Sequence, residues 1–217
     1  MINGTRLRQA TVSQYFNIHP DNPQPRLLKK VVDIIRAGGV VIYPTDSVYA
    51  VGCQISNKRG MERMRALREL DKDHNFTLLC RDISEIAVYA KVNNSNFRLL
   101  KANTPGPFTF LLAASSELPR RLLHSKRKTV GVRVPNNAVV QALLSTLEEP
   151  LMSMTFALPD DEFGLSDPYE IKQRMAAHVD AIVDAGYCGI EPTTVVDLTD
   201  AAPRLVRQGM ADFSSLG

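Results

Sequence analysis

Residues 25–43, PRLLKKVVDIIRAGGVVIY, change periodicity within a few positions, and that change restricts the fold more than any other feature. Leu27, Leu28, Val31, Val32, Ile34 and Ile35 recur at the spacing of one helical face. Gly38-Gly39 then offers the residues that close a helix. Val40–Tyr43 is a short β-branched run, which predicts a buried strand, and Pro44 ends it. An amphipathic helix that feeds straight into a buried strand is the unit of a layered α/β sheet.

The pattern recurs. Met61, Met64, Leu67 and Leu70 mark a second amphipathic helix, Thr77–Cys80 a strand, and Asn94–Ala102 a third helix. A tight turn in TPGP leads to a strand at Phe108–Ala113, and TVGVRV alternates into another. Asn136 or Asn137 is placed to cap the helix that carries Val139, Val140, Leu143, Leu144 and Leu147. LMSMTFA reads as a central strand. Asp167 and Pro168 open a helix expected to reach His178. Ala181–Val183, Thr194–Leu198 and Leu205–Val206 read as three closing strands, expected as antiparallel additions. Residues 1–14 are polar and aperiodic, which predicts a loose tail before a single domain over 15–217. No composition break or internal repeat divides that span.

Composition narrows the class. At 217 residues, 44% hydrophobic and 23% charged, the chain can bury a core and is not of the disordered type. It has no apolar run of about 18 residues, and MINGTRLRQATVSQYF lacks a signal-peptide core, so a cytoplasmic protein with no membrane partner is expected. Cys53, Cys80 and Cys188 form no CxxC pair, and His19, His74, His124 and His178 are scattered. Those spacings argue against a disulfide framework or a tightly bound metal.

The net charge is only +3, but Arg120, Arg121, Lys126, Arg127, Lys128 and Arg133 crowd into residues 119–133 without an acid. Such a cluster meets phosphates of a nucleotide or an RNA, or is simply a solvated face.

Four segments put polar groups where open α/β sheets bind ligands. They are Thr45-Asp46-Ser47 with Tyr49; Arg65, Arg68, Lys72 and His74; Thr104–Pro107 leading to Thr109; and Arg133 with Ser153 and Thr155. Each has a plainer reading, such as a turn that hydrogen-bonds its own backbone. Arg133 resists one, because a buried guanidinium needs a carboxylate or a phosphate. No P-loop, dinucleotide fingerprint or nucleophile elbow is present.

In this order the segments resemble the YrdC-like family, the threonylcarbamoyl-AMP synthases of tRNA modification. The resemblance rests on GGVVIYPTDSVYAVGC, TPGPFTFLL, TVGVRVPNN, EPLMSMTFALP and PTTVVDLT followed by VRQG, and it covers residues 20 to 210. It implies a large twisted mixed sheet with flanking helices and a basic concave face. It also implies a reaction of ATP, as its Mg2+ complex, with L-threonine and bicarbonate. Carried over, it implies substrate contacts from Thr45, Asp46, Tyr49 and Ser153, nucleotide contacts from Thr109, Arg133 and Arg207, and catalytic roles for Arg68 and Thr155. The basic run supplies candidate RNA contacts in Arg120, Arg121, Lys126, Arg127 and Lys128, with tRNA or double-stranded RNA as the partner.

The departures are equally specific. The family's lysine-x-arginine-proline aligns with Arg68-Glu69-Leu70-Asp71, and its asparagine aligns with Ala157. HNFTLLCRD and RRLLHSKRKT resemble the YciO-like branch, which shares these replacements. Two alternatives to a synthase follow. One is a nucleotide- or RNA-binding protein without synthase activity. The other is a hydrolase removing a threonylcarbamoyl group, with Asp46 or His74 positioning water.

Overall fold

The computed structural model describes residues 13–69, 76–122, 128–157 and 164–216. Strand β1 (Gln14–Asn17) starts one residue inside the segment expected to be loose. Helix α1 (Pro25–Arg36) has proline in its first turn and ends where Gly38 adopts φ +88°, the left-handed conformation a glycine takes without penalty. Its Leu28, Val31, Val32 and Ile35 are buried. The chain then enters β2 (Val41–Tyr43), turns through PTDSVY, and returns antiparallel as β3 (Ala50–Gln54).

Helix α2 (Lys58–Leu67) is capped by the Asn57 side chain. Strand β4 (Thr77–Leu79), helix α3 (Ile83–Tyr89), helix α4 (Asn94–Asn103) and strand β5 (Phe108–Ala113) follow. Strand β6 (Thr129–Arg133) leads to helix α5 (Ala138–Leu147), where Asn137 accepts from the amides of Val139 and Val140 as a capping residue should. Strand β7 (Leu151–Thr155) precedes helix α6 (Pro168–Met175), with Asp167 as its cap. Three strands close the chain: β8 (Ala181–Asp184), β9 (Thr194–Asp197) and β10 (Arg204–Arg207).

These strands form one mixed sheet in the order β1-β8-β2-β3-β7-β4-β6-β5-β9-β10. The closing strands depart from expectation. Only β10 adds antiparallel, to β9. β8 inserts parallel between β1 and β2, and β9 lies parallel to β5 at the far side. Residues 185–193 therefore join strands seven places apart. A flat sheet would put those strands about 34 Å apart, close to the greatest reach of such a link. The link is bent, with Gly186 at φ +87°, so the sheet curls to bring its two sides together.

The curl sets the layers. Helices α1 and α5 cover one half of one face, over Val41, Tyr43, Leu79, Leu151, Ala181 and Val183. The opposite face packs Ile42, Tyr49, Val51, Leu78, Phe110, Val132 and Met152 against the remaining helices. The half of the first face beyond α1 and α5 has no helix over it among the described residues, and there the sheet is concave.

Candidate functional site

Register alone assembles the floor of that concavity. Ala50 pairs with Thr155, Gly52 and Thr77 with Ser153, Gly131 with Thr77 and Leu111, Leu79 with Arg133, and Thr109 with Val195. Directly paired residues share a face, so these side chains all point to one side. They line a cavity of about 570 Å3, within the roughly 300–1,000 Å3 of small-molecule sites. Arg68, Thr109, Arg133, Ser153, Thr155 and Arg207 all reach it, as do Ala157 and Thr193.

The Thr45–Val48 loop forms one wall through Ser47 and Val48. The Thr45 hydroxyl donates to Val48 O at 2.6 Å and accepts from the Ser47 amide at 3.1 Å. It is thus closed into its own turn and does not line the cavity. Tyr49 precedes Ala50 on the strand and points to the other face, where its hydroxyl donates to Gly186 O at 2.8 Å. Asp46 is not among the lining residues and pairs with the Arg133 guanidinium, which is. Thr45, Asp46 and Tyr49 therefore do not line this cavity, where the family resemblance implies substrate contacts. Strand alternation turns Tyr49 away, the turn's own hydrogen bonds hold Thr45, and Arg133 holds Asp46.

Arg133 extends Nη2 to Asp46 Oδ1 and Nη1 to Ser47 Oγ at 3.2 Å. Its anion is thus a carboxylate of the same chain. Burial pushes the guanidinium below its ordinary range, and Asp46 opposes that shift. Ser153, on the floor, accepts from the Tyr43 hydroxyl at 2.6 Å. Burial raises the Tyr43 phenol well above its ordinary value, so it stays a donor.

Two further guanidiniums differ from Arg133. Arg68, at the end of α2, donates to Thr155 O at 3.0 Å. Arg207, at the end of β10, donates to Thr193 O at 2.9 Å. Among the described residues neither has a carboxylate partner. Burial lowers both from the usual arginine range, and the charge of Arg207 lowers Arg68 further. Also in the lining, the hydroxyls of Thr109 and Thr193 meet at 2.8 Å, both buried. Sequence reasoning singled out neither Tyr43 nor Thr193. Their signals were a tyrosine at a strand end and a threonine beside a proline.

Arg120 and Lys128 are exposed and do not line the cavity. Lys128 precedes β6 at the end opposite Arg133. Lys126, Arg127 and the Arg121 side chain lie outside the described residues, as do Leu70, Lys72 and His74. Arg65 packs its guanidinium 4.9 Å from the Phe76 ring centroid. Among the described residues no group of three or more His, Cys, Asp or Glu is disposed to hold a metal ion. No helix among them is long and apolar enough to cross a membrane.

The Sua5/YciO/YrdC family model, described as "Telomere recombination", matches residues 33–209. The chain belongs to the Sua5/YciO/YrdC family. A curated member, YciO of Escherichia coli strain K12, is 55% identical over 201 residues, 93% of this chain and 98% of that protein. The crystal structure of E. coli YciO has a TM-score of 0.91 at 54% identity, covering 94% of this chain and 99% of that one. Sua5 of P. abyssi, solved in complex with L-threonine, shares the fold with a TM-score of 0.83 at 24% identity. That match covers 91% of this chain and 58% of that one. The Sua5/YciO/YrdC fold thus accounts for the curled sheet and its concave face.

Proposed function

We propose that the cavity binds ATP and L-threonine and joins them with bicarbonate into L-threonylcarbamoyladenylate, releasing pyrophosphate, for threonylcarbamoyladenosine modification of tRNA. The observation that carries this reading is the pair Arg68 and Arg207. Two guanidiniums that line the cavity, anchored to main-chain carbonyls and without carboxylate partners among the described residues, suit the phosphates of a nucleotide. Attack of a carbamate on the α-phosphate builds negative charge, and fixed cations with hydroxyl donors stabilise it. Thr109, Thr155, Thr193 and Ser153 supply the hydroxyls. Mg2+ enters as part of the ATP substrate, since the described lining carries no carboxylate to hold it. The relative from P. abyssi, bound to L-threonine on the same fold, supports the choice of amino acid.

A second reading, nucleotide or RNA binding without synthesis, is favoured by one observation. Ala157 lines the cavity where the family resemblance implies an asparagine amide. A hydrolytic reading has less to stand on, because the Asp46 carboxylate is engaged by Arg133. One assay separates the first two. Synthesis predicts pyrophosphate release that requires both threonine and bicarbonate and is lost in Arg207→Ala. ATP binding by calorimetry without such release assigns the protein to the binding reading.

A further inference from the structure

Arg133 is the only arginine of the lining that forms an ion pair, and its partner is Asp46, among the described residues. Their side chains are 7% and 10% exposed. Asp46 engages Nη2 through one oxygen only. Its other oxygen, Oδ2, is buried without a partner, and so is Arg133 Nε. Nε and Nη2 share one edge of the guanidinium plane, the edge that grips a carboxylate or a phosphate side-on. Asp46 therefore sits at the position an incoming anion would take, while Arg133 still lines the cavity.

We propose that Asp46 is an internal counter-ion that withholds Arg133 from the ligand and so sets how many anionic groups the cavity accepts. With Asp46 in place, Arg133 is neutralised and acts as a positioning residue for Asp46 and Ser47. The cavity then presents two net positive charges, from Arg68 and Arg207. Without Asp46 it presents three, and the side-on edge of Arg133 becomes a third anion-binding fork. This deepens the nucleotide reading and rests on it only for the location of the anion.

Inorganic tripolyphosphate tests the charge count apart from nucleoside and amino acid. In calorimetric titrations at two salt concentrations, Asp46→Asn should bind it roughly tenfold or more tighter than the native protein, the worth of one charge-assisted hydrogen bond. The gain should shrink with added salt. In the double variant Asp46→Asn with Arg133→Gln the affinity should return to the native value. Arg133→Lys keeps the charge beside Asp46 but loses the fork, and should bind as the native protein does. That variant serves even if Asp46→Asn fails to fold.

Unchanged or weaker binding by Asp46→Asn overturns the proposal. So does a gain that persists in the double variant, or a large loss in Arg133→Lys. If these results hold but ATP does not bind, the nucleotide reading falls and the counter-ion role stands. If ATP binds and Asp46→Asn changes nothing, the reverse is true.

Discussion

Tyr43 reaches over β3 from β2 and donates its hydroxyl to Ser153 Oγ on β7 at 2.6 Å. Gly52 is the residue beneath, and a Cβ there would stand 2.8 Å from the Tyr43 oxygen. The glycine thus opens the passage that lets the tyrosine cross a strand. Ser153 accepts from the phenol and keeps its own proton to direct into the cavity.

The two ends of this bond are not equivalent. Tyr43→Phe removes a buried donor and leaves a serine that the cavity still reaches, at a cost of about 1 kcal/mol. Ser153→Ala strands the buried phenol without a partner and should cost more, up to about 3 kcal/mol. Urea unfolding of the two variants measures the difference. Equal losses would mean that water already serves the phenol.

Arg68 is half-buried and Arg207 exposed, and the charge of Arg207 lowers the Arg68 guanidinium from its usual range. Two like charges that face each other oppose folding, though solvent screens the exposed one. Arg207→Gln should therefore leave the thermal midpoint unchanged or raise it, while ATP affinity falls roughly tenfold or more. Differential scanning calorimetry and a binding titration on the same sample check both signs. A destabilised variant with native affinity would place Arg207 in the architecture alone.

Gly189 belongs to the link between β8 and β9, and a Cβ on it would stand 2.6 Å from Ser47 O. Main-chain atoms at that distance cannot yield without moving. Gly189→Ala should shift the Thr45–Val48 wall and weaken ligand binding, with the loss concentrated in affinity and not in global unfolding. Native affinity in this variant would show that the wall does not touch the ligand.

Much of this arrangement was legible in the sequence because it obeys local rules. Helix α1 with its Gly38 ending, the Asn137 cap and the Asp167-Pro168 start all follow from residue type and period. Strand β3 was missed because AVGCQ is buried on both faces and shows no alternation. Helix α3 was missed because seven residues give too little periodicity. That Thr45, Asp46 and Tyr49 fall outside the cavity lining was not legible for a different reason. Whether a loop carboxylate faces ligand or arginine is decided by a strand 87 residues away in the chain, and no local pattern records it. Arg133 alone announced its need for an anion, and the chain itself supplies one.

Ala157 lines the cavity at a position where the family resemblance implies an amide. A missing donor facing a developing charge typically lowers turnover by about 10²–10³. Ala157→Asn should therefore raise the threonine- and bicarbonate-dependent release of pyrophosphate if the cavity performs adenylation. A variant that folds, binds ATP and still releases nothing would favour the binding reading.

Acid stability depends in part on Asp197, which β9 places opposite Leu111. Burial pushes this carboxyl up, but the hydroxyl and amide of Thr199 and the guanidinium of Arg204 outweigh that and hold it below its ordinary range. Thr199 donates its hydroxyl to Oδ1, and Arg204 meets Oδ2, both at 2.6 Å. A carboxyl depressed in the folded state stabilises above its unfolded value, near 3.9, and loses that contribution as pH falls through the lower folded value. The native protein should thus lose thermal stability steeply below about pH 4. Asp197→Asn should start lower at neutral pH and decline less, so that the two curves converge in acid. Melting temperatures across that range decide the matter, and parallel curves would show that Asp197 contributes no charge-dependent stability.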